Sequence, residues 1–201
     1  MRCRAPTHAA PSLRPHARAL RPPLLRRSAD YSLLPKDMDE REMYTGEVTA
    51  LLNAQGGRVY LDVERPRVCI RGAEDRREPD LGYRWLEDDE IFPFLELRAA
   101  AVDLRDGSRF SRDETARRVA AQLETLIEKK VRHVVLSAFG CGAFRNPAAE
   151  VAAVYAEEVE KRKDKFDVVA FGIFHAGYGP NNFAPFEAAF GQRSQPAGTT
   201  E

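Results

Sequence analysis

The chain has 201 residues, 43% of them hydrophobic and 31% charged, with a formal net charge of zero. That length suits one core-bearing domain, because a unit of roughly 150 residues already buries most of the surface its unfolded chain exposes. Zero net charge sets up no field that would gather nucleic acid along the whole molecule, and no apolar run approaches the roughly 20 residues that span a bilayer, so a soluble protein with no membrane partner is expected.

Residues 1–36 are rich in proline and arginine. Seven arginines and no acid lie between Met1 and Ala29, with Pro6, Pro11, Pro15, Pro22 and Pro23 among them. Proline removes a backbone donor and clashes with a continuing helical turn, so this segment reads as a largely disordered basic stretch, whose only expected nucleic-acid contact is a weak one. Its arginine, alanine and leucine content is also similar to a mitochondrial transit peptide, but such peptides work as amphipathic helices and the prolines oppose one. The domain itself is expected over residues 37–191, with a disordered tail over 192–201. Three widely spaced cysteines, Cys3, Cys69 and Cys141, fit neither a disulfide framework nor a paired zinc motif, which points to a reducing compartment, cytoplasmic or nuclear. None of His8, His16, His133 and His175 has a second ligand at helical spacing, so neither a metal site nor a cofactor is expected.

Within the domain, Met43, Val48, Leu51 and Leu52 predict a helix between Asp37 and Asn53, ended by Gly56-Gly57. Short strands follow over Val59–Val63 and Arg67–Arg71. From Gly72 to Glu90 charges and turn formers dominate, with Tyr83, Trp85 and Leu86 the only bulky apolar residues, and the pattern predicts a long surface loop of the kind that carries function. Past Pro93 the order becomes regular: a strand over 94–102, a helix over 113–129, a strand over 131–137, a helix over 147–162 and a strand over 167–174. The first of these helices opens on Ser111-Arg-Asp-Glu114, which fits a capping box, and its apolar face is Val119, Leu123, Leu126 and Ile127. Val134-Val-Leu136 and Val168–Phe174 are apolar on both faces, as strands covered by helices on each side are. The expected class is therefore α/β with a mostly parallel sheet.

In open α/β sheets ligands collect at the carboxyl ends of strands, and the loop after Ser137 lies at one. Gly140 and Gly142 let its backbone turn tightly and bring amides close to a ligand. Asn146 is a good N-cap and Pro147 suits the first helical turn, so loop amides and helix N-terminus together make a site for an anion such as a diphosphate. On spacing alone, a glycine-rich turn that only lets strand and helix pack explains the loop as well.

The stretch Val135-Leu-Ser-Ala-Phe-Gly-Cys-Gly-Ala-Phe-Arg-Asn-Pro147, followed by a helix containing Val151 and by Phe166-Asp-Val-Val-Ala-Phe171, resembles the signature of the microbial-type poly(ADP-ribose) glycohydrolase branch of the macrodomain superfamily. The resemblance implies a three-layer macrodomain-like α/β fold with a mostly parallel central sheet, its N-terminal part reduced or divergent. It also implies a loop that wraps the diphosphate of ADP-ribose, which assigns Gly140, Cys141, Gly142, Ala143 and Phe144 to the ligand, with Phe174 and Asn182 added from their positions after the last strand. It extends more faintly through Arg67–Arg71 and Leu97-Arg-Ala-Ala-Ala101.

Upstream the resemblance breaks. The family has a triple glycine, then Gln-Glu-Glu, then Leu-Cys-Arg-Arg-Ser. Leu24-Leu-Arg-Arg-Ser28 can be laid over the last of these in register, which puts Leu20, Arg21 and Pro22 where the glutamine and two glutamates belong. Cleaving a ribose glycosidic bond needs a carboxyl to protonate the leaving oxygen or activate water. No catalytic residue is therefore assigned, and the expected function is binding of ADP-ribose or an ADP-ribosylated protein without efficient hydrolysis. The alternatives are an active ADP-ribosyl or poly(ADP-ribose) glycohydrolase and a structural or interaction protein that keeps the fold alone.

Three further features carry competing readings. Cys141, between two glycines, is either a nucleophile partnered by His175 or a small buried hydrophobe. Glu87-Asp-Asp-Glu90 is either a cation or acid site or a solvated face. Tyr178 and Phe183 either stack on a base or cover the end of the core.

Overall fold

The computed structural model describes residues 28–30, 46–64, 66–74, 83–174 and 179–191. Expectations placed on 1–27, 31–45, His175, Tyr178 and 192–201 lie outside the described residues. The described residues divide between two compact units, the smaller containing 28–29, 69–74 and 83–92 and the larger containing 30, 46–64, 66–68, 93–174 and 179–191.

In the larger unit, α1 (Gly46–Leu52) leads through a 3-10 turn at Gln55–Gly57 to β2 (Tyr60–Leu61). Later come β7 (Leu97–Arg98), α2 (Arg112–Glu128), β8 (His133–Leu136), α3 (Ala148–Glu160), β9 (Val168–Phe171) and α4 (Phe183–Phe190). Strands β1 (Ser28–Asp30), β3 (Arg67–Cys69) and β6 (Phe92–Phe94) form a three-stranded sheet in the order β1-β3-β6. β8 and β9 pair in parallel, His133 opposite Val168 and Leu136 opposite Phe171, whereas β2 and β7 pair antiparallel.

Helix α2 starts where its cap chemistry says. The Glu114 amide donates to Ser111 Oγ at 3.2 Å, but the box is only half made, because the Glu114 carboxylate accepts from Arg117 and Arg118 instead. The hydrogen bond from Arg117 is the main reason that carboxyl titrates down at about 2. The same two arginines reach across to α1 and the chain after β7: Arg117 donates to the carbonyls of Ala54 and Asn53, and Arg118 to that of Ala100. At its other end α2 closes with Lys130 at φ 58° and the Val131 amide bonded to the Leu126 carbonyl, a left-handed helix ending that delays the start of β8 to His133.

The core joins the apolar face of α2 (Val119, Leu123, Leu126) to Val151, Val154 and Tyr155 of α3, Leu136, Phe166 and Phe186. Phe171 bridges the layers, edge-on to Tyr155 at 5.2 Å and 5.0 Å from the Phe186 ring. Inside it, the Tyr155 hydroxyl donates to Gln122 Oε1 at 2.9 Å, while Gln122 Nε2 meets no acceptor among the described residues. A stranded buried polar group costs more than a neutral hydrogen bond returns. Gln122→Leu alone should therefore lose about 1–2 kcal/mol by orphaning the hydroxyl, and adding Tyr155→Phe should recover most of it, read from urea midpoints. A double variant weaker than the single one would refute this account.

Three expectations need correction. The strand foreseen over 94–102 is reduced to the end of β6 at Phe94 and to β7, which stops at Arg98; beyond it the carbonyls of Ala100 and Val102 bond to the side chains of Arg118 and Asn146 rather than to a neighbouring strand. The foreseen loop over 72–90 contains an antiparallel hairpin, β4 (Arg71–Glu74) with β5 (Tyr83–Trp85), buttressed by the Arg71 guanidinium 3.9 Å over the Trp85 ring. The β8–β9 pair is covered on one face only: Val134, Leu136, Val169 and Phe171 meet the core, but Val135 is 74% and Val168 47% exposed.

Candidate functional site

The glycine-rich loop leaves β8 at Leu136 and enters α3 at Ala148. Its first turn is set by Gly140: the Cys141 amide bonds to the Ala138 carbonyl at 3.0 Å, and Gly140, third in that turn, has φ 73°, the positive value that a type II turn reserves for glycine. A second turn closes from the Arg145 amide to the Gly142 carbonyl at 3.1 Å. The ends of the loop are then drawn together, because the Asn146 amide and side-chain Nδ2 both donate to the Gly140 carbonyl, at 3.0 and 3.1 Å.

Asn146 does not act as the N-cap expected of it. Pro147 occupies the cap position of α3 with no side-chain bond, and the Asn146 side chain turns back to link Gly140 with the Val102 carbonyl at 2.8 Å. Two residues from distant parts of the chain are thus pinned by one buried amide.

Inside this frame the amides of Gly142, Ala143 and Phe144 have no acceptor among the described residues. Three backbone donors in succession are thus left open, the kind of run that can meet an anion where the amides converge. Arg145 completes the loop at φ 60°, a left-handed conformation that costs a non-glycine residue on the order of 1 kcal/mol.

The segment after β7 braces the loop, and sequence reasoning missed it. The Leu104 amide donates to the Phe144 carbonyl at 3.1 Å, and the Arg105 guanidinium lies 5.3 Å from the Phe144 ring centroid. Ala101 packs so close to Gly140 that a β-carbon there would have no room. The one signal available was the run of small residues at Ala99-Ala-Ala101, which allows that approach.

Five of the seven expected ligand residues, Gly140 to Phe144, lie together in the loop. Asn182 joins them by donating to the Cys141 carbonyl at 3.4 Å, while its neighbour Asn181 caps α4 by accepting from the amides of Phe183 and Ala184. Phe174, beyond the end of β9, is 77% exposed. Cys141 is 4% exposed, and burial pushes its thiol up to about 11, so the nucleophilic thiolate is absent at neutral pH and the residue serves as a core hydrophobe. Glu90 of the acidic cluster is taken by a bidentate bond from Arg84, which holds its carboxyl at about 2, so it has no proton to donate near neutrality. Among the described residues no group of acids, histidines and cysteines could hold a metal ion, and no helix is long and apolar enough to cross a membrane.

No family model matches the sequence, and no curated protein matches it. Solved structures do. The chain is similar to poly(ADP-ribose) glycohydrolase from Deinococcus radiodurans in its apo form, with a TM-score of 0.55 at 20% identity over 77% of this chain and 65% of that one. It is similar also to that organism's enzyme in complex with ADP-ribose, with a TM-score of 0.53 at 20% identity over 76% of this chain and 63% of that one. The chain spans less than two thirds of the length of these neighbours. At such identity the likeness is one of fold, and the chain has the macrodomain-like α/β fold of the microbial poly(ADP-ribose) glycohydrolases.

Proposed function

We propose that the chain binds ADP-ribose or an ADP-ribosylated protein through Gly140–Phe144, without efficient hydrolysis. The observation that carries this reading is the run of open amides at Gly142, Ala143 and Phe144, held at the carboxyl end of β8 on a fold whose solved neighbour is in complex with ADP-ribose. Amides fixed in this way meet a diphosphate without paying for reorganisation at the moment of binding. Phe174, 77% exposed after β9, and Asn182, which donates to the Cys141 carbonyl, are assigned to the ligand with the loop.

The absence of hydrolysis rests on two points. Leu20, Arg21 and Pro22 stand at the positions where the resemblance places glutamine and two glutamates, and none is a carboxyl. The carboxylate on the bracing segment, Asp103, accepts from Arg105 Nε on Oδ1 and from Nη2 on Oδ2 and is held below its ordinary range by that side-chain bond, which leaves it ionised and unable to act as a general acid near neutral pH.

Calorimetry with ADP-ribose on the full chain tests the binding, and release of ADP-ribose from a modified protein tests the chemistry. Heat of binding with no release is the expected result. Turnover comparable with an intact glycohydrolase would overturn the second half of the reading, and a silent titration the first, leaving an interaction protein that keeps the fold alone.

A further inference from the structure

An amide cradle supplies partial charges only, whereas a diphosphate carries two full negative charges near neutral pH, so what neutralises it decides selectivity. Arg105 lies beside the loop. Its guanidinium lies 5.3 Å from the ring of Phe144, and the amide next to it in the chain, that of Leu104, is bonded to the Phe144 carbonyl, so Arg105 and the loop are held as one unit. Its fork is already engaged: Nε lies 2.9 and 3.0 Å from the two Asp103 oxygens and Nη2 2.5 Å from Oδ2. That pair is largely exposed, with 56% of the Arg105 and 39% of the Asp103 side chain accessible, and an ion pair so placed gains little over hydrated charges. A phosphate presents the same two-oxygen geometry to a guanidinium as a carboxylate does, with more charge.

Other charges nearby do not displace this assignment. Asp106 is engaged by the Ser108 amide at 2.9 Å, and Arg145, exposed within the loop, acts on Asp103 across space. Two arginines therefore lie in or beside the loop, and Asp103 is the carboxylate that occupies one of them.

We propose that Arg105 is the residue that selects a diphosphate in the Gly140–Phe144 loop, and that Asp103 is its resting partner, a competitor that the ligand's phosphate replaces. This rests on the loop being the diphosphate site. The alternative, that the Asp103–Arg105 pair merely braces the loop, predicts the opposite sign for one substitution, which makes the two separable.

The experiment is calorimetric titration of ADP-ribose into the full chain and into Arg105→Gln, Arg105→Lys and Asp103→Asn at low and high salt, with melting temperatures as a folding control. Arg105→Gln is expected to weaken binding about ten-fold or more and to flatten its salt dependence, since a phosphate contact at an exposed site is screened by salt. Arg105→Lys should recover part of the loss, keeping the charge but not the fork. Asp103→Asn should tighten binding several-fold, because it frees the guanidinium. Weakened binding in Asp103→Asn, or a loss in Arg105→Gln with the wild-type salt slope, overturns the proposal in favour of a brace. Wild-type binding that Arg105→Gln leaves intact overturns it alone, whereas a wild-type chain that gives no heat with ADP-ribose removes the loop reading beneath it.

Discussion

Gly140→Ala is expected to destabilise the protein by about 2–5 kcal/mol and to dismantle the loop, the largest stability effect of any single methyl in this region. Two terms add. At φ 73° an alanine pays roughly 1–2 kcal/mol for the left-handed conformation. Its β-carbon would also fall against Ala101 Cβ and stand 2.5 Å from Asn146 Nδ2, and relieving such overpacking costs roughly 1–3 kcal/mol. The second term is aimed at the worst place, since Asn146 Nδ2 is the donor that ties Gly140 to the Val102 carbonyl. Urea denaturation of the two proteins measures the sum. Adding Ala101→Gly to the alanine variant removes one of the two clashes and should return part of the steric loss while leaving the backbone strain. A midpoint unchanged in Gly140→Ala would mean that the turn has another conformation.

Much of this frame was legible from residue patterns alone. Val119, Leu123 and Leu126 recur at helical spacing because they share one face of α2, and all three are buried. The turn that leads from β8 toward α3 was likewise marked by its glycines, Gly140 standing at φ 73°. What escaped was the long-range use of polar groups. Asn146 suits an N-cap by type, but which carbonyls its amide finds depends on Val102, 44 residues away, and no local pattern encodes that choice. For the same reason the strand foreseen to run to 102 stops at Arg98: the residues beyond suit a strand, yet two of their carbonyls are taken by side chains from α2 and the loop. The β4–β5 hairpin was hidden by charge, since Arg71 packs on Trp85 through its guanidinium and hydrophobic alternation never appears. Val135 and Val168 show the converse error. Apolar residues on both faces of a strand suggest cover on both, but hydrophobicity records what a surface would prefer to meet, and here the outer face is exposed.

Gly142→Trp should abolish detectable ADP-ribose binding, a loss of about 100-fold or more, roughly 2.8 kcal/mol, with the fold intact. The two loop glycines differ in what surrounds them. A β-carbon on Gly142 would meet nothing within 4 Å, and its φ lies outside the left-handed region, so neither strain nor overpacking opposes a side chain there. An indole at this position is instead expected to crowd the open amides of Gly142, Ala143 and Phe144, the donors proposed to meet the phosphates. The pair of variants therefore separates architecture from ligand contact: Gly140→Ala should lose stability and binding together, and Gly142→Trp binding alone. Melting temperature and calorimetric titration on the same samples decide it. If Gly142→Trp melts with the wild type and still binds ADP-ribose at wild-type affinity, the ligand does not use this loop, because no diphosphate could reach those three amides past an indole.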